Sequence, residues 1–471
     1  MRNQALENFF RVLRGNLLVV CVFCLSTAFF LWQHSSGVSW DFTVYTLNAR
    51  YIFDGGRYFE WSRPPLMPFL LDLFSIFGWG AVGYVFIILI SALYLLSCVR
   101  FSERFAVDYK VFYPLSLTPF ALIYGFSVGT ELLSLSMLLL FLAYFDGICS
   151  GFFLSMAFMV RYTNIGFLPM LLLEFDLKSV VIGALVFLLT LSPWIFFNYA
   201  LTGNPLTSLM DSYAMNVKFR GGVFESFSIW HVLTAVNILL PLAALGMLFQ
   251  LNRIRGLSWK DRGHKQFILV IAFALITFYS YVKTPYKFDR YLFNLALPAT
   301  YFSAIAVQRL GVKIVYLLVA ASFVSLLVIP VDMIKLQDES LYEKALREVR
   351  VDVGDCGLLS NGWVYLNKLG STAGNAPDHR IVAKKIDEGY RILLFKHLQE
   401  PEYTFNKEFI GGLSVLKETG GYTLLGKNSS CVRVGRHDGT YIQQIDELYR
   451  DSFNESFSIT AYELFFTDKT A

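Results

Sequence analysis

A chain of 471 residues with 55% apolar, 17% aromatic and only 16% charged side chains, and with a positive mean hydropathy, is far from the soluble average of about 45–50% apolar and about 25% charged residues. That balance excludes a soluble globular protein and points to a polytopic α-helical membrane protein. The formal net charge of +4 divides into roughly +8 before residue 336 and roughly −4 after it.

The first apolar run, Leu17 to Trp32, follows Arg2, Arg11 and Arg14 and has no small-residue cleavage site behind it, so it reads as a start-transfer anchor. Cys21 and Cys24 form a CxxC inside this run with no second ligand pair. With Cys98 and Cys149 they read as packing residues rather than metal ligands. A first outer loop follows over about 34–79. There Asp41, Tyr45 and Asn48 fall at i, i+4 and i+7, on one face of a predicted short helix along the bilayer surface. Gly55-Gly56 ends that helix. Pro64 and Pro65 cannot continue an incoming helix but suit the first turn of a new one, so the next span is expected to start there.

Apolar runs of roughly 20 residues, enough to cross about 30 Å of hydrocarbon, recur over approximately 15–33, 80–99, 110–127, 130–147, 179–198, 229–250, 266–282, 290–308 and 313–334, with a shorter pair near 149–162 and 164–176. The expected total is about eleven crossings. With the N-terminus in the cytoplasm, the basic residues Arg100, Arg104 and Lys110, then Arg253, Arg255, Lys260, Arg262 and Lys265, then Arg309 and Lys313 all fall on the cytoplasmic side. The expected setting is a cell membrane, with the Asp41 segment and the C-terminal region outside it. Dropping one half of the short pair would flip everything downstream; dropping both would preserve the parity.

After Val331 charges become frequent and apolar runs shorten to strand length, as in Gly357 to Ser360 and Arg391 to Phe395. Ile381 to Tyr390 has helical spacing, and Leu413 to Leu416 and Tyr422 to Leu425 look like strands around Gly420-Gly421. The expected organisation is a membrane domain over 1–335 and a small extracytoplasmic α/β domain over 336–471. Cys356 and Cys431 are that domain's only cysteines; outside the cytoplasm they either oxidise to each other or stay apart. The sequons at Asn428 and Asn454 are common enough to arise by chance.

Chemistry-bearing residues recur at the ends of apolar runs. Asp41 follows the first run, Glu131 heads an otherwise apolar helix, Arg161 interrupts a run, and Lys283, Lys287, Asp289 and Arg290 crowd one short loop. Ionisable groups near hydrocarbon cost several kcal/mol each unless paired or functional, so they suggest a polar cavity. Arg can bind phosphate bidentately and a carboxylate can take a proton from an attacking hydroxyl, which suits an anionic lipid-linked substrate. The bland readings are a solvated interfacial Asp41, a Glu131 favoured by the helix dipole by about 0.3–1 kcal/mol, and purely structural ion pairs of Arg161 and Arg290.

The pattern Trp40-Asp41 with Tyr45 and Arg50, then Gly55-Gly56 and Arg63-Pro64-Pro65-Leu66, resembles the first outer loop of the GT-C glycosyltransferases, in particular the branch of protein O-mannosyltransferases and lipid A aminoarabinose transferases. Further matches are the Glu131 helix, Arg161-Tyr162-Thr163, Pro193-Trp194 with Asn198-Tyr199, Gly203-Asn204-Pro205, and Arg290-Tyr291 ahead of Pro298. Order and spacing, rather than any single motif, carry the resemblance across the membrane region.

The resemblance implies transfer of a sugar from a polyprenyl- or dolichyl-phosphate donor to a glycan, lipid or protein acceptor on the outer face. It assigns Asp41 as acceptor base, and Glu131 to the second acidic position, which assists the acceptor or, in some members, a divalent metal. Arg290-Tyr291 matches the pair near the donor phosphate, with Lys287 and Arg161 as weaker candidates, and Tyr45, Asn48, Arg50 and Arg63 belong to the acceptor loop. Two departures stand out: Phe42 occupies the place where many members carry a second acidic residue, and Arg63 replaces the His of the mannosyltransferases' His-Pro-Pro. They leave the acceptor and any metal open. No other cofactor and no nucleic-acid partner is expected. Rival readings are a transporter or flippase for a lipid or anionic solute, a lipid-linked oligosaccharide ligase or polymerase, and a non-enzymatic scaffold.

Overall fold

The computed structural model describes residues 17–173, 176–218, 227–254, 261–284, 287–311, 313–328, 340–398 and 400–444. Arg2, Arg11, Arg14, Arg255, Lys260, the sequon at Asn454 and the boundary at residue 335 lie outside the described residues. The chain folds as two compact units. One comprises residues 1–36, 64–206 and 220–336, the other 37–63, 207–219 and 337–471. The unit holding the C-terminal region therefore also includes residues 37–63, which a linear division at residue 335 does not show.

The first unit is a helical membrane protein. Among the described residues five helices are long and apolar enough to cross a bilayer: Leu17–Ser35, Val82–Phe105, Leu177–Thr202, Ile229–Ile254 and Gly263–Lys283. They coincide with five of the runs expected to span. Leu177–Thr202 exposes Leu188, Leu189 and Phe196, an apolar surface that suits lipid rather than water. The remaining apolar runs form shorter pieces, for local reasons. The run near 110–127 divides into Tyr109–Ser116 and Pro119–Tyr124, because Pro119 opens a new helix and the Thr118 hydroxyl accepts from Ala121 N at 3.2 Å. The short pair is an α-helix, Cys149–Val160, followed by a 3-10 segment, Tyr162–Leu173, that contains Pro169. Pro64 and Pro65 do precede a helix, but it is Leu66–Phe74, nine residues long, and the next long helix begins at Val82.

Two helix pairs in this unit meet through glycine. A Cβ at Gly151 would run into the carbonyl oxygen of Gly183, and one at Gly246 into that of Phe302. Small residues let apolar helices approach closely enough for dispersion to hold them where no hydrophobic drive operates between helices. Cys98 is buried in this packing, whereas Cys21 and Cys24 lie on the exposed side of the first helix.

The second unit contains a five-stranded sheet in the order β2-β1-β3-β5-β4. Its strands are β1 Leu358–Ser360, β2 Ala373–Asn375, β3 Arg391–Phe395, β4 Val415–Glu418 and β5 Tyr422–Leu425. The strands β2, β1 and β3 run parallel, and β5 pairs antiparallel with β3 and β4. All of β3 is buried, as a parallel strand covered on both faces must be. Its alternation divides the core: Leu393 and Phe395 pack with Tyr342, Ala345 and Val349 of the helix Ser340–Val353, and Ile392 and Leu394 pack with Val382, Ile386, Tyr403 and Ile410. The predicted strands at 391–395 and 422–425 are present, the one near 413–416 is shifted to Val415–Glu418, and β2 has no counterpart in the sequence reading. Cys356 and Cys431 are disulfide-bonded with Cα atoms 5.1 Å apart, which resolves the alternative left open by sequence.

Replacing Gly151 by Val should force the two helix backbones apart and lower stability by about 1–3 kcal/mol. Thermal unfolding of the purified protein in detergent, compared with wild type, measures it.

Candidate functional site

In the second unit the candidate site is built on the helix Trp40–Phe53. Ser39 caps it, its hydroxyl accepting from Phe42 N at 3.2 Å, and Asp41 lies in the first turn, where the helix dipole favours a negative charge. Gly55, at φ +66°, follows the helix, and Gly56 N returns to the carbonyl of Arg50 at 3.0 Å. The chain then doubles back so that residues 58–63 lie along the helix.

This return creates a continuous polar chain. Arg63 Nη1 is 2.7 Å from Asp41 Oδ1, with the side chains only 14% and 16% exposed. Arg63 Nε donates to Glu60 Oε2 at 2.8 Å. Glu60 Oε1 accepts from the Tyr58 hydroxyl at 2.6 Å, and the Tyr58 hydroxyl oxygen in turn accepts from Trp363 Nε1 at 2.7 Å. Burial by itself would favour loss of the Arg63 proton, but the carboxylates of Asp41 and Glu60 outweigh it and hold the guanidinium cationic. Burial, reinforced by Glu60, keeps the Tyr58 hydroxyl protonated well above its ordinary range.

The face predicted for Asp41, Tyr45 and Asn48 is the face that receives this segment. Arg63 lies over the Tyr45 ring, 5.9 Å from its centroid. Asn48 clamps Glu60 by donating to its carbonyl and accepting from its N–H, both at 2.9 Å. Arg50 is half-buried near the end of the same helix, and its carbonyl serves the turn.

A residue with no signal in the sequence joins the same unit. Asp211, on the helix Thr207–Tyr213, is wholly buried and accepts from Ile442 N at 3.2 Å. Burial pushes its carboxyl up to about 7, with Glu60 acting in the same direction and the N–H groups of Ile442 and Tyr441 opposing. Glu60 was equally missed. Its signal was a carboxylate between two aromatics, three residues before Arg63.

In the first unit Glu131, 1% exposed at the head of its helix, pairs with Arg161 at 2.9 Å. Next to Arg161 in sequence, the Tyr162 hydroxyl accepts from Trp194 Nε1 at 3.0 Å. The sequence left open whether Arg161 belongs to an ion pair or to a phosphate site, and the geometry gives it a carboxylate partner.

The Lys287–Tyr291 segment forms a third cluster. Lys287 is buried and donates its ammonium hydrogens to the carbonyls of Tyr281 at 3.1 Å, Val282 at 2.9 Å and Thr284, closing the end of the helix Arg262–Lys283. An ammonium has three N–H donors, so this set occupies all of them. Arg290 lies 5.3 Å from the Phe288 ring centroid and 5.8 Å from that of Tyr291. His231, which sequence reading passed over as one polar residue in an apolar run, has Nδ1 on the Tyr281 hydroxyl and Nε2 3.5 Å from Asp289. Among the described residues no group of three or more His, Cys, Asp and Glu side chains gathers to hold a metal ion. The divalent metal left open by the resemblance therefore has no such donor set among them.

Two outcomes follow from this geometry. A carboxyl whose folded pKa is raised contributes most below its unfolded value of about 3.9, and that contribution is lost as pH climbs to about 7. Asp211→Asn, which mimics the protonated form, should flatten the fall in stability across that window, as read by thermal unfolding at stepped pH. Lys287→Met leaves three helix-end carbonyls without their donor and should cost roughly 1–3 kcal/mol of stability, measured in the same assay.

No family model, no curated protein and no solved structure matches this chain.

Proposed function

We propose that this chain is an integral membrane glycosyltransferase of GT-C type that moves a sugar from a polyprenyl- or dolichyl-phosphate donor to an acceptor on the outer face of a cell membrane. In this reading the chain makes about eleven crossings, counting the short and broken apolar segments with the five long helices. The observation that carries it is Asp41. It is a carboxylate at the head of the helix after the first span, fixed at 2.7 Å by the Arg of the Arg-Pro-Pro that opens the next apolar segment.

The chemistry asks little more of the protein. In an in-line displacement the acceptor hydroxyl gives its proton to Asp41 and its oxygen forms the new bond to the sugar's anomeric carbon. The bond from that carbon to the phosphate oxygen breaks, and its electron pair leaves with the lipid phosphate. Asp41 must then be anionic and correctly aimed. The cationic Arg63, itself anchored by Glu60, supplies both conditions. Tyr45, Asn48 and Arg50 build the acceptor loop around this pair.

Arg290, spread over the rings of Phe288 and Tyr291, is the group assigned to the donor phosphate. Lys287 shapes the loop that carries it, by capping the preceding helix. Glu131 and Arg161 are assigned to the second acidic position as a pair. In this reading the N-terminus is cytoplasmic and residues 336–471 lie outside, which the positive-inside distribution of the basic residues supports.

The test is transfer from radiolabelled polyprenyl-phosphate sugars in membranes that contain the wild type or Asp41→Asn. The substitution keeps size but removes the base, so transfer should fall by about 10²–10⁴-fold with protein level and donor binding retained. Equal transfer by both proteins would remove Asp41 from the mechanism. No transfer by either, across a broad donor panel, would instead favour a transporter or flippase for a lipid or anionic solute.

A further inference from the structure

The sheet of the second unit carries a cavity that the first-loop polar chain does not use. It is a crevice of about 500 Å³, open to solvent and lined by Asp378, His379, Pro401, Glu402, Tyr403, Asn406 and Phe409. These residues come from two segments, one after β2 and one after β3. In an open α/β sheet the crevice beyond the carboxyl ends of parallel strands is the ordinary place for a ligand, and the volume falls within the range of about 300–1,000 Å³ typical of small-molecule sites.

What the lining groups have to offer is specific. Asp378 is committed. Its Oδ1 accepts from Arg380 N at 3.0 Å and Nε at 2.8 Å, and lies 3.2 Å from His379 Nδ1. That contact occupies one side of the imidazole and leaves Nε2 for a ligand. Asn406 accepts from Phe409 N at 3.0 Å through Oδ1, so its amide NH₂ is what it can present. Glu402, on the 3-10 turn Glu402–Phe405, contributes an exposed carboxylate. Phe409 packs against Tyr403 with ring centroids 5.3 Å apart, while the Tyr403 hydroxyl donates to the Pro377 carbonyl at 2.8 Å and holds the wall in place.

A carboxylate, an amide and an imidazole edge are planar groups that accept from and donate to neighbouring hydroxyls. An aromatic ring supplies an apolar face for C–H groups. The lining contains two carboxylates and neither Lys nor Arg, which argues against a phosphate or carboxylate ligand. We propose that this cavity is a binding site for a neutral pyranose unit of a glycan. Its use as an acceptor subsite rests on the transferase reading, whereas the binding itself does not.

The experiment is saturation-transfer NMR on the full chain in detergent micelles, with methyl α-mannoside, methyl β-glucoside, methyl β-galactoside and N-acetylglucosamine as probes. Glucosamine and inorganic phosphate are charged comparators. The proteins are wild type, Glu402→Ala, His379→Ala and Lys407→Ala, the last removing an exposed side chain that follows the lining residue Asn406 in sequence and does not itself line the cavity. The expected result is binding of at least one neutral sugar in about the millimolar range, weakened roughly tenfold by Glu402→Ala and by His379→Ala but not by Lys407→Ala. A preference for glucosamine or phosphate, no sugar binding at all, or binding indifferent to both cavity variants would each overturn the proposal. None of these readouts requires a donor or turnover, so failure here leaves the transferase reading standing, and loss of transfer leaves this result intact.

Discussion

The second unit depends on one buried cation. Arg63 is almost enclosed, and a guanidinium taken out of water is tolerated only when carboxylates meet it with good geometry. Asp41 does so at Nη1 and Glu60 at Nε, and the course of the segment between them suits that requirement. The helix must stop at Asp54, the glycines must reverse the chain, and Asn48 must hold the Glu60 backbone so that its carboxylate reaches both Arg63 and Tyr58. Removing either carboxylate would take from the guanidinium one of its two bonded partners, so the cluster acts as one element rather than a set of separable contacts.

The C-terminal region is drawn into the same construction. Phe59 N donates to the carbonyl of His437 and His437 N to that of Arg57, each at 2.9 Å. Tyr51 donates to Asp438 Oδ2 at 2.6 Å, and Trp61 Nε1 to the Asp438 carbonyl at 2.9 Å. Trp40 packs edge-on against Trp363 and Tyr365. The chain after β5 thus satisfies backbone groups of the 57–61 segment that local structure leaves open. This explains why residues 37–63 belong to the same unit as 337–471 despite their distance in sequence.

The membrane unit shows a different economy. Its ionisable side chains are spent mainly on structure. Lys287 closes a helix end and Glu131 meets Arg161, while His231 bridges Tyr281 and Asp289. Such groups near hydrocarbon persist only with partners. Here the partners are neighbouring side chains and the exposed carbonyls of broken helices. The Arg290 guanidinium also lies over two aromatic faces, those of Phe288 and Tyr291, which attract the cation.

Local chemistry was legible in the sequence because its causes are local. Apolar run length marked the five long helices; the i, i+4, i+7 spacing marked the common face of Asp41, Tyr45 and Asn48; short apolar runs marked β3 and β5. Proline and capping residues also marked where the helix near 110–127 would divide, although run length alone obscured it. Tertiary structure decided what depends on closure over long separations: the Arg63 bridge between Asp41 and Glu60, the pairing of Cys356 with Cys431, and the burial of Asp211 beneath the backbone of Ile442. Each turns on the distance between side-chain tips, a few ångströms of difference that residue type and spacing along the chain do not encode.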